Sequence, residues 1–159
     1  MAAPATTARS TPSGIRFPNG FSSKIAFNRD ADFSFWERNV GTPGVDGGDP
    51  IDITTMHNTT WRTMVARDLM TLTPFTVTGA IDAGIYTDCI NNLINQEGSI
   101  TRHLPDGSKL DFFGFLQKIE FGEFVEGEMP TATITVVPTN FDPVNRTEQP
   151  PVLTSVTGT

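Results

Sequence analysis

The sequence is short of most residue types that carry chemistry. It has one cysteine, Cys89, in 159 residues, so neither an internal disulfide nor a cysteine zinc cluster can form. Only 18% of residues are charged, none of them gathered in a basic run, and the formal net charge is −7. Proteins that hold DNA or anionic lipid draw affinity from Lys/Arg contacts with phosphates, and this balance argues against both jobs. No apolar run approaches the roughly 20 residues that span a bilayer. The opening MAAPATTARSTPSG lacks the apolar centre of a signal peptide, so the expectation is a soluble protein folding in a reducing cytoplasm. Without such a signal, the N-x-T triplets at Asn58 and Asn145 carry no glycosylation meaning.

What is present is enough apolar material for one domain. Hydrophobic residues make up 37%, and twelve phenylalanines supply most of the aromatic bulk. Residues 1–20 are small, polar and proline-containing, which predicts a loose arm. SKIAFN and DFSFWERNV (residues 23–28 and 32–40) predict two strands, the second with Phe33 and Phe35 on one face and Trp36 and Val40 on the other. The glycine-rich 41–50 is expected to form no regular element, and 51–70 is ambiguous. TLTPFTVTG (71–79) reads as a strand that Pro74 confines to an edge or bulge.

One helix is expected over 83–97, with Asp82 as N-cap and Gly98 as the residue past its end. Tyr86, Cys89, Ile90, Leu93 and Ile94 form its apolar stripe. Pro105, Asp106 and Gly107 then signal a hairpin. Its second strand is apolar on both faces: Phe113, Phe115, Ile119 and Phe121 on one, Leu110, Phe112 and Leu116 on the other. Gly114 within it predicts a bulge or a close backbone approach. TATITVVP alternates cleanly as a half-buried strand, and the tail from Pro143 reads as loose. The fold class expected is mainly β: an antiparallel sandwich or barrel with one flanking helix, over residues 21–142, with 143–159 a flexible tail.

Candidate chemistry is thin. Asp46, Asp49 and Asp52 in GTPGVDGGDPIDITT suggest a calcium loop, but the alternating position 48 is glycine and position twelve is His57 where a bidentate glutamate is needed. Cys89 lies on the helix stripe, where small buried cysteines are common, and His57 and His103 are distant in sequence. Glu120, Glu123, Glu126 and Glu128 fit a solvated charge run better than a glycosidase pair. No catalytic residue, metal or cofactor is expected. A ligand-binding or calcium-stabilised β-sandwich is the rival class, although planar aromatics for it are scarce.

Two blocks carry a family resemblance. ERNVGTPGVDGGDPIDITTMHNTTWRT (37–63) resembles the corresponding block of major tail tube proteins of long-tailed bacteriophages, where a GVDGGDPID-type loop leads into a similar segment. ITRHLPDGSKLDFFGFLQKIEFGEFVEGEMPTATITVVPTN is similar to that family's C-terminal pattern of hairpin, F-x-G strand, acidic loop and closing strand. With the helix between, the resemblance covers most of 22–142.

The resemblance implies a structural virion protein rather than an enzyme: six subunits per ring, rings stacked into a tube that delivers genome DNA, assembled in the bacterial host cytoplasm. It implies partners in other copies of the chain, a tape measure protein, a tail terminator and tail-tip or baseplate proteins. It assigns the long segment 41–63 to contacts between rings. Val45 and Ile51 would be apolar anchors there. Gly47 and Gly48 would supply positive φ beside Pro50, and Asp46, Asp49 and Asp52 polar contacts. Trp61 and Arg62 would fix the segment against the sandwich, Trp61 as a core residue or at an interface. Carboxylates among Glu120, Glu123, Glu126 and Glu128 would face the lumen, where an acidic lining keeps DNA from sticking.

Overall fold

The computed structural model describes residues 23–30, 33, 35–80 and 83–155; the expected arm over 1–20 and the N-cap Asp82 lie outside them. Among the described residues the fold is mainly antiparallel β, with one short helix. In chain order the elements are β1 (Lys24–Phe27), β2 (Trp36–Val40), β3 (Gly44–Asp46), β4 (Ile51–Asp52), β5 (Met64–Val65), β6 (Thr71–Thr73), β7 (Phe75–Ala80), α1 (Ala83–Asp88), β8 (Gly98–His103), β9 (Lys109–Phe121), β10 (Thr131–Thr139), β11 (Phe141–Asp142), β12 (Thr147–Glu148) and β13 (Val152–Thr154). One sheet runs β1-β8-β9-β10-β7-β2, with β13 added on β9.

The alternation of TATITVVP places Ala132, Ile134 and Val136 on the buried side, where they meet Phe75, Val77, Ile100, Phe112 and Leu116. The sheet curls until its two edges come together. The Ile25 N–H on β1 donates to the Glu37 carboxylate on β2 at 3.0 Å. Arg102, buried on β8, reaches the end of β2 and donates to the carbonyls of Gly41 (3.1 Å) and Val40 (3.2 Å). The seam of the curled sheet is therefore closed by side chains, not by a ladder.

Two bulges decide which faces are buried. Opposite β10, Thr135 faces Lys118 while Val136 faces Leu116, so Gln117 is an extra residue. That single insertion swaps the faces beyond it. Ile119, expected beside Phe113 and Phe115, instead faces the buried Ile134 and packs on the core. On β2 the same happens at Arg38, which carries Val40 to the core side, opposite Val77, and away from Trp36. Gly114 marks a close approach and not the bulge: a Cβ there would stand 2.6 Å from the Val137 carbonyl oxygen.

The helix is shorter than its periodicity predicts. After α1 the chain makes a π-helical turn over Cys89–Leu93, closed by Ile94 N–H to the Cys89 carbonyl at 2.8 Å. Ile94 is already extended and Asn95 has φ 58, while Gly98, expected past the helix end, opens β8. Asn95 N–H bonds the Leu116 carbonyl, so the sheet captures the chain before another turn can form. Of the stripe, Cys89 and Leu93 are buried; Tyr86 and Ile90 stay half-exposed, with Tyr86 against the ring of Phe121.

The tail is not loose through 154. β11 and β12 pair around Asp142, whose carboxylate accepts from Val144 N–H at 2.9 Å and Asn145 Nδ2 at 2.7 Å. β13 pairs with β9 at Lys109–Asp111, a stretch of edge that β10 does not cover. At the expected hairpin turn, Asp106 accepts from Ser108 N–H and Oγ. These backbone bonds hold both aspartates below the usual carboxylate range. The native state thus binds fewer protons than the unfolded chain as pH falls through that range. The stability these groups contribute is present above about pH 4 and lost below it. The melting temperature is expected to fall on acidification below that point, and less steeply in Asp142→Asn.

Candidate assembly surface

Residues 44–73 leave the sheet as one two-stranded ribbon. β3 pairs with β6 (Val45 opposite Leu72) and β4 with β5 (Ile51 opposite Val65). At about 3.3 Å per residue, its ten residues from Gly44 to Ile53 reach up to about 30 Å. The expectation that 41–50 forms no regular element is corrected at Gly44–Asp46. Pro74, lacking an N–H, is the corner at which the expected single strand splits into β6 and β7.

A lone two-stranded ribbon is marginal in water. Here local hydrogen bonds hold it. Asp46 Oδ1 accepts Gly48 N–H at 2.8 Å, and Gly48 adopts φ 74; Gly47 has no positive φ. Arg67 Nε donates to the Asp49 carbonyl across the ribbon at 2.8 Å. Asp52 Oδ1 accepts Thr54 N–H at 2.9 Å; hydrogen bonds from the Thr54 hydroxyl first and its N–H second lower the Asp52 pKa, and the carboxylate lies 3.9 Å from the Arg62 guanidinium.

Asn58 organises the tip. Its Oδ1 accepts Thr55 N–H at 2.9 Å, and its Nδ2 donates to the Trp61 carbonyl at 3.1 Å and Thr63 Oγ1 at 2.8 Å. Sequence reasoning passed over Asn58 as an idle sequon; the signal was Asn among threonines, side chains that cap local backbone in turns.

Every residue from Val45 to Thr71 is exposed. Trp61 is 82% exposed at the tip, so it is not core, and neither it nor Arg62 fixes the segment against the sheet. Met56, Leu69 and Met70 are more exposed than 70%, and Val45, Ile51, Ile53, Met64 and Val65 are exposed beside them. Where the ribbon meets the sheet, two hollows of about 300 and 290 Å³ share Met70, Leu72 and Asn140.

The four glutamates separate. Glu120 sits on the open face of the sheet, opposite Thr133 and bonded by Lys118 at 3.0 Å. That face carries Thr76, Thr78, Thr133 and Thr135, with Thr78 and Thr133 hydroxyls 3.2 Å apart. Glu123, Glu126 and Glu128 lie in the exposed turn between β9 and β10, beside Phe124 (74% exposed), Val125 and Met129.

Elsewhere, Cys89 is fully buried and burial pushes its thiol up to about 11, a protonated and shielded group at neutral pH. His57 is on the ribbon and His103 ends β8. Among the described residues no three His, Cys, Asp or Glu side chains cluster as a metal site, and no helix is long and apolar enough to cross a membrane.

No protein-family model and no curated protein matches the sequence. Solved structures do. A chain of the anti-feeding prophage (AFP) baseplate, seen by cryo-EM with 6-fold symmetrisation, superposes with a TM-score of 0.56 over 85% of this chain and 92% of that one, at 9% identity. The two chains share a fold. A chain from the tail of an empty GTA particle, refined helically with C6 symmetry, aligns over 66% of this chain and 78% of that one at 8% identity, with a TM-score of 0.44.

Proposed function

We infer that this chain is a non-enzymatic structural subunit of a phage-type tail, one that polymerises as stacked hexameric rings into a tube for DNA delivery. The observation that carries the reading is the ribbon: nine large apolar side chains stand exposed on an arm that buries none of them within its own chain. Exposed apolar side chains concentrated on one projection mark a protein–protein contact. The fold shared with a baseplate chain supports the same class.

Magnitudes favour a closed, repeated assembly over a pair. Burying Met56, Trp61, Leu69 and Met70 yields about 6–12 kcal/mol, against association costs of about 4–15 kcal/mol. One such contact is marginal; a subunit held by several neighbours is not. In this reading the threonine-rich open face, with Glu120, lines the channel and presents few cations to phosphate. Tape measure, terminator and tip proteins would meet the ends of the tube. Negative-stain electron microscopy of the purified chain over a concentration series is expected to reveal rings and hollow tubes above a threshold. Monomer at every concentration, also in the presence of a tail-tip initiator complex, would defeat the reading.

A further inference from the structure

The ribbon and the β9–β10 turn leave the domain at opposite ends of the same strand. β7 begins at Phe75, directly after the ribbon and Pro74, and ends at Ala80, which pairs with Thr131 at the foot of the turn. Its six residues separate the two exits by about 17 Å. The two projections therefore leave the sheet at opposite ends, and the exposed apolar side chains of each stay uncovered within the chain.

Their surfaces match. The ribbon tip, 53–63, carries exposed Ile53, Met56 and Trp61 with Arg62 and His57, and contains no carboxylate. The turn, 122–130, carries exposed Phe124, Val125 and Met129 with Glu123, Glu126 and Glu128, and contains no cation. The turn is an apolar knob rimmed by carboxylates; the tip is an apolar knob whose cation, Arg62, lies 3.9 Å from Asp52 with its side chain 83% exposed, open to further carboxylates.

We propose that the ribbon tip of one copy docks on the β9–β10 turn of a second copy, head to tail. Apolar contact of Met56 and Trp61 with Phe124 and Met129 supplies the attraction, and Arg62 against Glu123, Glu126 and Glu128 sets orientation. Because the two surfaces differ and lie at opposite ends, the contact is heterologous and propagates along an axis. It rests on the assembly reading above and names the surface the ribbon meets. The same glutamates are then contact residues between successive copies and not channel lining.

Two measurements test it. Glu123→Lys/Glu126→Lys/Glu128→Lys is expected to raise the threshold concentration for assembly at least about tenfold. Adding Arg62→Glu to the same chain is expected to restore assembly, since every contact then pairs the reversed charges. All four residues are exposed, so melting temperatures should match the parent. Separately, Met56→Cys/Phe124→Cys, oxidised at high concentration, is expected to give a ladder of disulfide-linked multimers, while each single variant stops at dimers. Parent tubes with an unaffected triple variant would overturn the docking and leave the assembly reading intact. If the parent forms no tubes even with a tail-tip initiator complex, the assembly reading fails, and the presence or absence of the ladder still decides the contact.

Discussion

Replacing residues 54–62 with Asn-Gly is expected to abolish tube formation and leave a folded monomer. The cut is chosen at a paired position: Ile53 N–H already donates to the Thr63 carbonyl at 3.0 Å, so a two-residue turn can close the shortened ribbon. What is lost is Met56, Trp61, Arg62 and the Asn58 hydrogen bonds, none of which touches the sheet's core. The change in melting temperature should therefore stay within about 2–4 °C, the shift 1 kcal/mol causes in a chain of this length. Sedimentation and negative stain read the outcome. Tubes of normal yield from the shortened chain would contradict the tip's part in assembly and the docking proposed for it, and leave the tube function standing. The point variant Asn58→Ala, which leaves the contact residues in place and unties only the tip, is expected to weaken assembly less than the deletion.

Arg102→Met is the most damaging single substitution the fold predicts. The guanidinium is buried and donates to three backbone carbonyls, those of Val40, Gly41 and His103. Methionine fills much of the volume but leaves those acceptors without donors, at about 1–3 kcal/mol each when buried. Burial also costs the charged guanidinium, lowering its pKa, and Glu37 offsets part of that cost. The net loss expected is about 3–5 kcal/mol, or roughly 6–20 °C in melting temperature. Lysine should not rescue it, because a single ammonium lacks the planar fork that reaches separated carbonyls. Val40 and Gly41 immediately precede the ribbon, so the variant should also lose assembly below its melting point. A melting temperature within about 2 °C of the parent would show that the β1–β2 seam closes without Arg102.

Much of this architecture was legible in the chain. Alternation in TATITVVP marked β10 and its buried face, and Pro105-Asp106-Gly107 marked the β8–β9 turn. Cys89 and Leu93 were found on the helix stripe, and the mainly antiparallel class with one short helix is what the chain adopts. These are local signals: side-chain period and turn chemistry act within a few residues of each other, and no distant partner has to be known.

The rest depends on partners distant in sequence. Gln117 and Arg38 become bulges only because of the register against β10 and β7, and each reverses which side chains meet the core. The helix stops at Leu93 because Leu116 captures the following backbone. β13 forms because β10 leaves an edge of β9 uncovered. The ribbon was hidden for a different reason. A strand acquires period two when one face is buried, and the ribbon buries neither face within the chain, so no alternation marks it. Its residues carry composition without pattern. Sequence alone settled which segments want to be strands, turns and helix; tertiary structure decided the faces they present, because a face is defined by what lies opposite it.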